Sequence, residues 1–230
     1  MNDTLYNEQM KLADLILANP NLILPLSRLG IPFGFGNKSV ADVCAQYGIP
    51  TSFFLLICNV YSFNEYLPSP QEISQTDMSL IASYLKASHK YYQEKRLPHI
   101  GGHLQRIADC LSPKLANVLK QFYTEYCDEV TAHFDYEETV VFPYVESLSN
   151  ENAKTDYQIE AFTSEHTNIE DKLDDLTQII FKYLPETVIP DEAVSVVFDI
   201  LQLSEDIKKH SLIEEKILVP YAERIEENKK

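Results

Sequence analysis

Ala132–Glu146 reads AHFDYEETVVFPYVE, and Lys209–Glu223 reads KHSLIEEKILVPYAE. With His133 set over His210, both stretches carry glutamate at +4 and +5, proline at +10, tyrosine at +11 and glutamate at +13. A helix brings positions i and i+4 onto one face. His133 with Glu137, and His210 with Glu214, are therefore expected to form two pairs that each grip one object. Glu138 and Glu215, one position further on, leave that face and read as solvated or as supports for a ligand. Pro143 and Pro220 are expected to kink or loosen the last turns.

The duplication reaches beyond the two phrases. His133 to His210 is 77 residues, and so is His89 to His166. Each half then reads as a helix pair with one histidine on the first helix and a His-x-x-x-Glu pair on the second. Two such halves predict a four-helix bundle that aims four imidazoles and two carboxylates inward. That donor set suits a pair of transition metals; calcium and magnesium prefer shells of oxygen. Each metal would take two imidazoles, Glu137 and Glu214 could bridge, and six side chains would leave coordination positions open, as in reactive sites. Glu129, one turn before His133, and Glu165, next to His166, are candidates for lining the site or holding ligand imidazoles. His99 and His103 have no partner at the repeat offset and read as surface or supporting residues.

Composition bounds the rest. Thirty-five acidic residues against 19 basic give a net charge of −16, which disfavours nucleic acid and anionic membrane as partners. Cys44, Cys58, Cys110 and Cys127 form no Cys-x-x-Cys pair and suit neither a zinc ribbon nor a disulfide scaffold. With no basic-then-apolar leader, a reduced, cytoplasmic protein is expected. The apolar run FFLLICNVY from Phe53 is too short to span a bilayer.

After residue 102 there is no glycine, and turn signals for strands are missing, so the fold class is all-α. Four long helices are expected: Asp77 to Arg96, ending before Pro98; Ser112-Pro113 to about Ser147; about Asn152 to Tyr183; and Pro190-Asp191 to about Glu227. Residues 1–68 read as a small helical domain with segments at Asn7–Ala18, Val40–Tyr47 and Thr51–Tyr61. Residues 69–76, overlapping YLPSPQEISQ of Tyr66–Gln75, read as a linker, and 77–230 as the bundle. The N-terminal domain is a candidate for homodimer contacts.

The two His-Glu-Glu phrases, with His89 and the SEH of Ser164–His166, resemble the hemerythrin-like HHE cation-binding family over about residues 77–227. The resemblance implies a hemerythrin-like four-helix bundle around two iron ions, a non-haem di-iron centre with an oxo or hydroxo bridge. Its implied ligands are His89, His133, Glu137, His166, His210 and Glu214. LGIPFGFGNKSVADVCAQYGI, Leu29–Ile49, is similar to the N-terminal domain of the repair of iron centres proteins. Those di-iron proteins are implicated in restoring iron–sulfur clusters damaged by nitric oxide or oxidants. Where that family carries a cysteine pair this chain has Gly34-Phe35-Gly36-Asn37, while Cys44 falls where the family has a further cysteine. The expected function is stress-response repair, with damaged iron–sulfur proteins and small gases as partners. The alternatives are a dioxygen or nitric oxide binding or sensing module, an oxidase-like or nitric oxide reductase-like enzyme, and a structural metal bundle.

Overall fold

The computed structural model describes residues 5–148, 157–165, 169, 171–186, 188 and 190–229, without the side chains of Glu165 and Lys229. Among these the secondary structure is helical apart from one isolated bridge, Lys11 with Ser39. In chain order the helices are α1 (Leu12–Ala18), α2 (Ile23–Arg28), α3 (Val40–Tyr47), α4 (Thr51–Ser62), α5 (Pro70–Gln75), α6 (Met78–Tyr91) and α7 (Leu97–Ala108). There follow α8 (Pro113–Tyr136), α9 (Phe142–Ser147), α10 (Ile159–Glu165), α11 (Asp171–Tyr183), α12 (Pro190–Ile213) and α13 (Val219–Lys229). None of the helices among the described residues is long and apolar enough to cross a membrane.

The chain divides into two compact units. One comprises Met1–Ala87, Val145–Ile159 and Lys209–Lys230; the other comprises Ser88–Tyr144 and Glu160–Lys208. In the first, α3 begins and ends where local chemistry requires. Ser39 and Asp42 form a reciprocal capping box that satisfies orphan N–H groups, and Gly48 closes the helix at φ 67°, a conformation costly for a residue with a Cβ. α4 is buried along Phe53–Tyr61 except at Leu55. The asparagine inside that apolar run, Asn59, is satisfied: Tyr6 N–H donates to its Oδ1 at 2.9 Å. Residues 69–76, expected as a linker, carry α5, capped by Ser69 and Glu72 in a second box. Cations of the C-terminal segment hold this stretch. Lys216 Nζ donates to the Tyr66 carbonyl at 3.0 Å and Arg224 to that of Pro70 at 3.0 Å.

The second unit is built on one hydrophobic core drawn from α7, α8, α11 and α12, including Ile100, Leu104, Tyr126, Val130, Leu173 and Val196. The spacing of these residues along each helix gives the continuous apolar stripe that burial needs. Gly101 has a steric reason: a Cβ there would meet Tyr123 Cε1 at 3.2 Å, and the same tyrosine donates its hydroxyl to the Leu97 carbonyl at 2.6 Å.

One expectation is corrected here. The first long helix does not end before Pro98. A π-helical turn, Tyr92–Arg96, carries it into α7, with Leu97 N–H donating five residues back to the Tyr92 carbonyl. Similar turns, Glu137–Val141 and Glu214–Leu218, precede Pro143 and Pro220. Proline has no N–H and its ring collides with the carbonyl four residues earlier in a regular helix. The wider turn immediately upstream shifts that carbonyl's pairing, so the helix continues past each proline. The third helix is observed as α10 and α11; its expected start, 152–156, lies outside the described residues.

Cysteine placement supplies a first test. Cys44 and Cys58 are buried, Cys127 is half-buried and Cys110 is exposed. Burial pushes the Cys44 thiol up to about 11 and Cys58 higher still. At pH 8 only about one Cys44 in a thousand would be thiolate, the reactive form. An aromatic disulfide reagent at pH 8 should therefore titrate Cys110 fast and Cys127 slowly, and reach Cys44 and Cys58 only in denaturant. Because the folded Cys44 ionises above an ordinary thiol, its contribution to stability is full below about pH 9, where an unfolded thiol ionises, and lost as pH rises through about 11.

Candidate metal centre

His89 stands near the end of α6, and His133 in the last turn of α8, one turn before Glu137 opens the π turn. The three side chains meet at Glu137. His133 Nε2 lies 2.8 Å from Glu137 Oε1, and His89 Nε2 lies 3.1 Å from Oε2. Each imidazole thus faces a different oxygen of one carboxylate. His89 and Glu137 are fully buried; the His133 side chain keeps 12% of its exposure. Neither Glu137 oxygen takes part in a hydrogen bond of ordinary geometry. A buried carboxylate in that state is costly unless a cation neutralises it. Two imidazoles and a carboxylate that presents one oxygen to each are a donor set for borderline transition metals, and these residues fit such ions.

The surroundings hold His89 in one orientation. Glu138 Oε1 lies 2.8 Å from its Nδ1, so the ring donates there and leaves the Nε2 lone pair facing Glu137. Glu138, expected to be solvated or supporting, supports. The Phe134 ring stacks on His89 at 3.9 Å between centroids and 7° between planes, and Phe142 covers it at 5.7 Å. Sequence reasoning missed how Glu138 reaches inward. The signal was present in the paired glutamates followed by proline, because the π turn that accommodates Pro143 begins at Glu137.

The second phrase repeats the local geometry. His210 lies in the last turn of α12 and Glu214 opens a π turn; His210 Nε2 is 3.2 Å from Glu214 Oε1, and both side chains are buried. In both phrases the histidine closes an α-helical run, the glutamate starts the wider turn, and proline follows. π turns recur at functional sites because they re-aim side chains within an otherwise regular helix.

The Hemerythrin HHE cation binding domain model matches residues 81–222. The chain belongs to the hemerythrin HHE cation-binding family. The HHE domain embraces every ligand position read from the repeat and leaves α1 to α5 outside it. No curated protein matches the chain. With the helical architecture, the match makes the fold an all-α hemerythrin-like bundle and the buried His/Glu cluster around Glu137 a place that could hold a metal ion.

The remaining candidates fall as follows. His166 lies outside the described residues, and so does the side chain of Glu165. Glu129 is half-exposed and pairs with Lys172 on α11. Tyr92 and Phe134 are buried, with ring centroids 5.9 Å apart. Phe162 is buried as well.

Proposed function

We propose that His89, His133, Glu137, His166, His210 and Glu214 serve one centre of two non-haem iron ions. In this reading the protein supports repair of iron–sulfur clusters damaged by nitric oxide or oxidants. The observation that carries the metal reading is Glu137, fully buried between two imidazoles with one oxygen to each. The 77-residue repeat and the extent of the HHE match support adding His166, His210 and Glu214. The similarity of Leu29–Ile49 to iron-centre repair proteins supports the repair role.

Bound iron would supply one-electron chemistry and open positions for small gases. The chain's own contributions are definite. Glu138 keeps the His89 proton on Nδ1 and so keeps Nε2 available. Phe134 and Phe142 shield the faces of that ring from water. His133 is the more exposed of the two imidazoles at Glu137, so the site is open to solvent on its side. Ligand imidazoles bind only when neutral, so acid favours release of the ion, which suits a protein that gives iron up.

Metal analysis of anaerobically purified protein tests the reading. About two irons per chain are expected, since six such ligands suit two ions. Mixing that protein with an apo-cluster acceptor and sulfide should restore cluster absorbance. Protein that carries no iron and takes none up from ferrous solution would refute it.

A specific observation favours a second reading, a dioxygen or nitric oxide binding or sensing module without turnover. The family's cysteine pair is replaced by Gly34-Phe35, and Cys44 is buried with its ionisation suppressed. The N-terminal segment therefore offers no reactive thiol at either position. A reversible spectral adduct with no iron lost to a chelator would favour this reading over repair.

A further inference from the structure

His99 and His103 are not idle surface residues. They stand one turn apart on α7, and Asp199 of α12 faces them. His99 Nε2 is 3.2 Å from Asp199 Oδ2, His103 Nε2 is 3.6 Å from the same oxygen, and the two Nε2 atoms are 3.3 Å apart. Three ligand-type atoms thus point at one another from two helices of one unit. Ligand atoms about 2.0–2.1 Å from one zinc ion at tetrahedral angles stand about 3.3–3.4 Å apart. The observed triangle has that size.

Glu192 backs the cluster from the far side of His103. Its Oε1 lies 2.6 Å from His103 Nδ1. Arg106 Nη2, 2.9 Å from the same Nδ1, belongs to a guanidinium whose Nε donates to that carboxylate at 2.7 Å. Histidine held through Nδ1–H by a carboxylate, with Nε2 presented outward, is the usual arrangement around a ligated metal. His99 Nε2, His103 Nε2 and Asp199 Oδ2 are all atoms that can ligate a metal through a lone pair. A cation at the centre would accept one lone pair from each of the three atoms.

Asp199 is also steadied, because Arg96 Nη2 donates to its other oxygen at 2.9 Å. Its side chain and that of His103 are mostly buried, while His99 is 55% exposed and gives an ion a route in.

We propose that His99, His103 and Asp199 form a second, separate site for one imidazole-preferring divalent transition cation such as Zn2+, with water as fourth ligand and Glu192 positioning His103. The site is independent of the HHE centre and does not rest on that centre's metal or function. Two neutral imidazoles and one carboxylate, with two arginines nearby, define a moderate, exchangeable site rather than a closed structural one.

The test is a Zn2+ titration of the full-length protein against a chromogenic chelator, alongside His99→Ala/His103→Ala, Asp199→Asn and Glu192→Gln. The parent should bind one more ion per chain than either ligand variant. Losing a supporting carboxylate weakens metal sites about 10–100-fold, so Glu192→Gln should weaken this ion by about tenfold and the ligand variants by at least about 100-fold. Glu137→Gln should leave it in place. Co2+ should give the visible bands of a tetrahedral site in the parent and in Glu137→Gln, and lose them in the ligand variants. Circular dichroism reports whether each variant is folded, and the near-isosteric Asp199→Asn covers the case in which the double variant is not. Equal Zn2+ stoichiometry and affinity in the parent and a folded ligand variant would overturn the proposal.

Discussion

Phe134→Ala is expected to destabilise the protein by about 3–5 kcal/mol, the range for emptying a fully buried phenylalanine site. Phe134 is 1% exposed, belongs to the core shared by α7, α8, α11 and α12, and stacks on His89. Two losses add. The ring's burial disappears and leaves a cavity. The stacked contact, worth about 0.5–1.5 kcal/mol for aromatic pairs, disappears with it. Urea unfolding followed by circular dichroism should show the midpoint falling with little change in slope. Phe134→Leu should fall between, since it fills much of the volume without the flat face. A loss below about 0.5 kcal/mol, the scale of surface substitutions, would mean that Phe134 neither fills the core nor braces the histidine.

The second large effect is on metal. Glu137→Gln should lower transition-metal affinity by more than about 100-fold, beyond what loss of a supporting group does. The amide keeps the shape of the carboxylate but not its charge or its second ligand oxygen. Stability should move the other way. Glu137 is fully buried and neither of its oxygens makes a hydrogen bond of ordinary geometry, and burying a charge costs more than burying a neutral amide of the same shape. Metal-free Glu137→Gln should therefore unfold at the same urea concentration as the parent or a higher one. Metal analysis and parallel melts of the two metal-free proteins check both halves. Unchanged metal content in Glu137→Gln would remove Glu137 from the ligand set, whatever the melts show.

These two residues mark where sequence reading stops. Glu137 was legible because its relation to His133 is local: four residues on a helix always share a face. The role of Phe134 as the plate against His89 was not legible, since 45 residues separate them and only packing decides which ring covers which. Glu138 was half legible. Its +5 spacing points away from His133 on a regular helix, and its reach to His89 depends on a π turn that no periodicity announces. The continuation through Pro98 has the same origin, because a wider turn upstream removes proline's penalty. The helix α5 in the expected linker is spelled out locally by the capping box of Ser69 and Glu72, although two prolines flank Ser69.

By itself the sequence determined the all-helical class, the doubled His-x-x-x-Glu phrase and the pairing of each histidine with its glutamate. Those properties follow from spacing of a few residues and from composition, which act before any long-range contact forms. Only the tertiary structure decided that His89 faces the far oxygen of Glu137 and that Asp199 stands opposite His99 and His103. Asp199 lies nearly a hundred residues from those histidines, and their meeting is set by how buried apolar stripes lock helices together, a choice that local spacing does not encode.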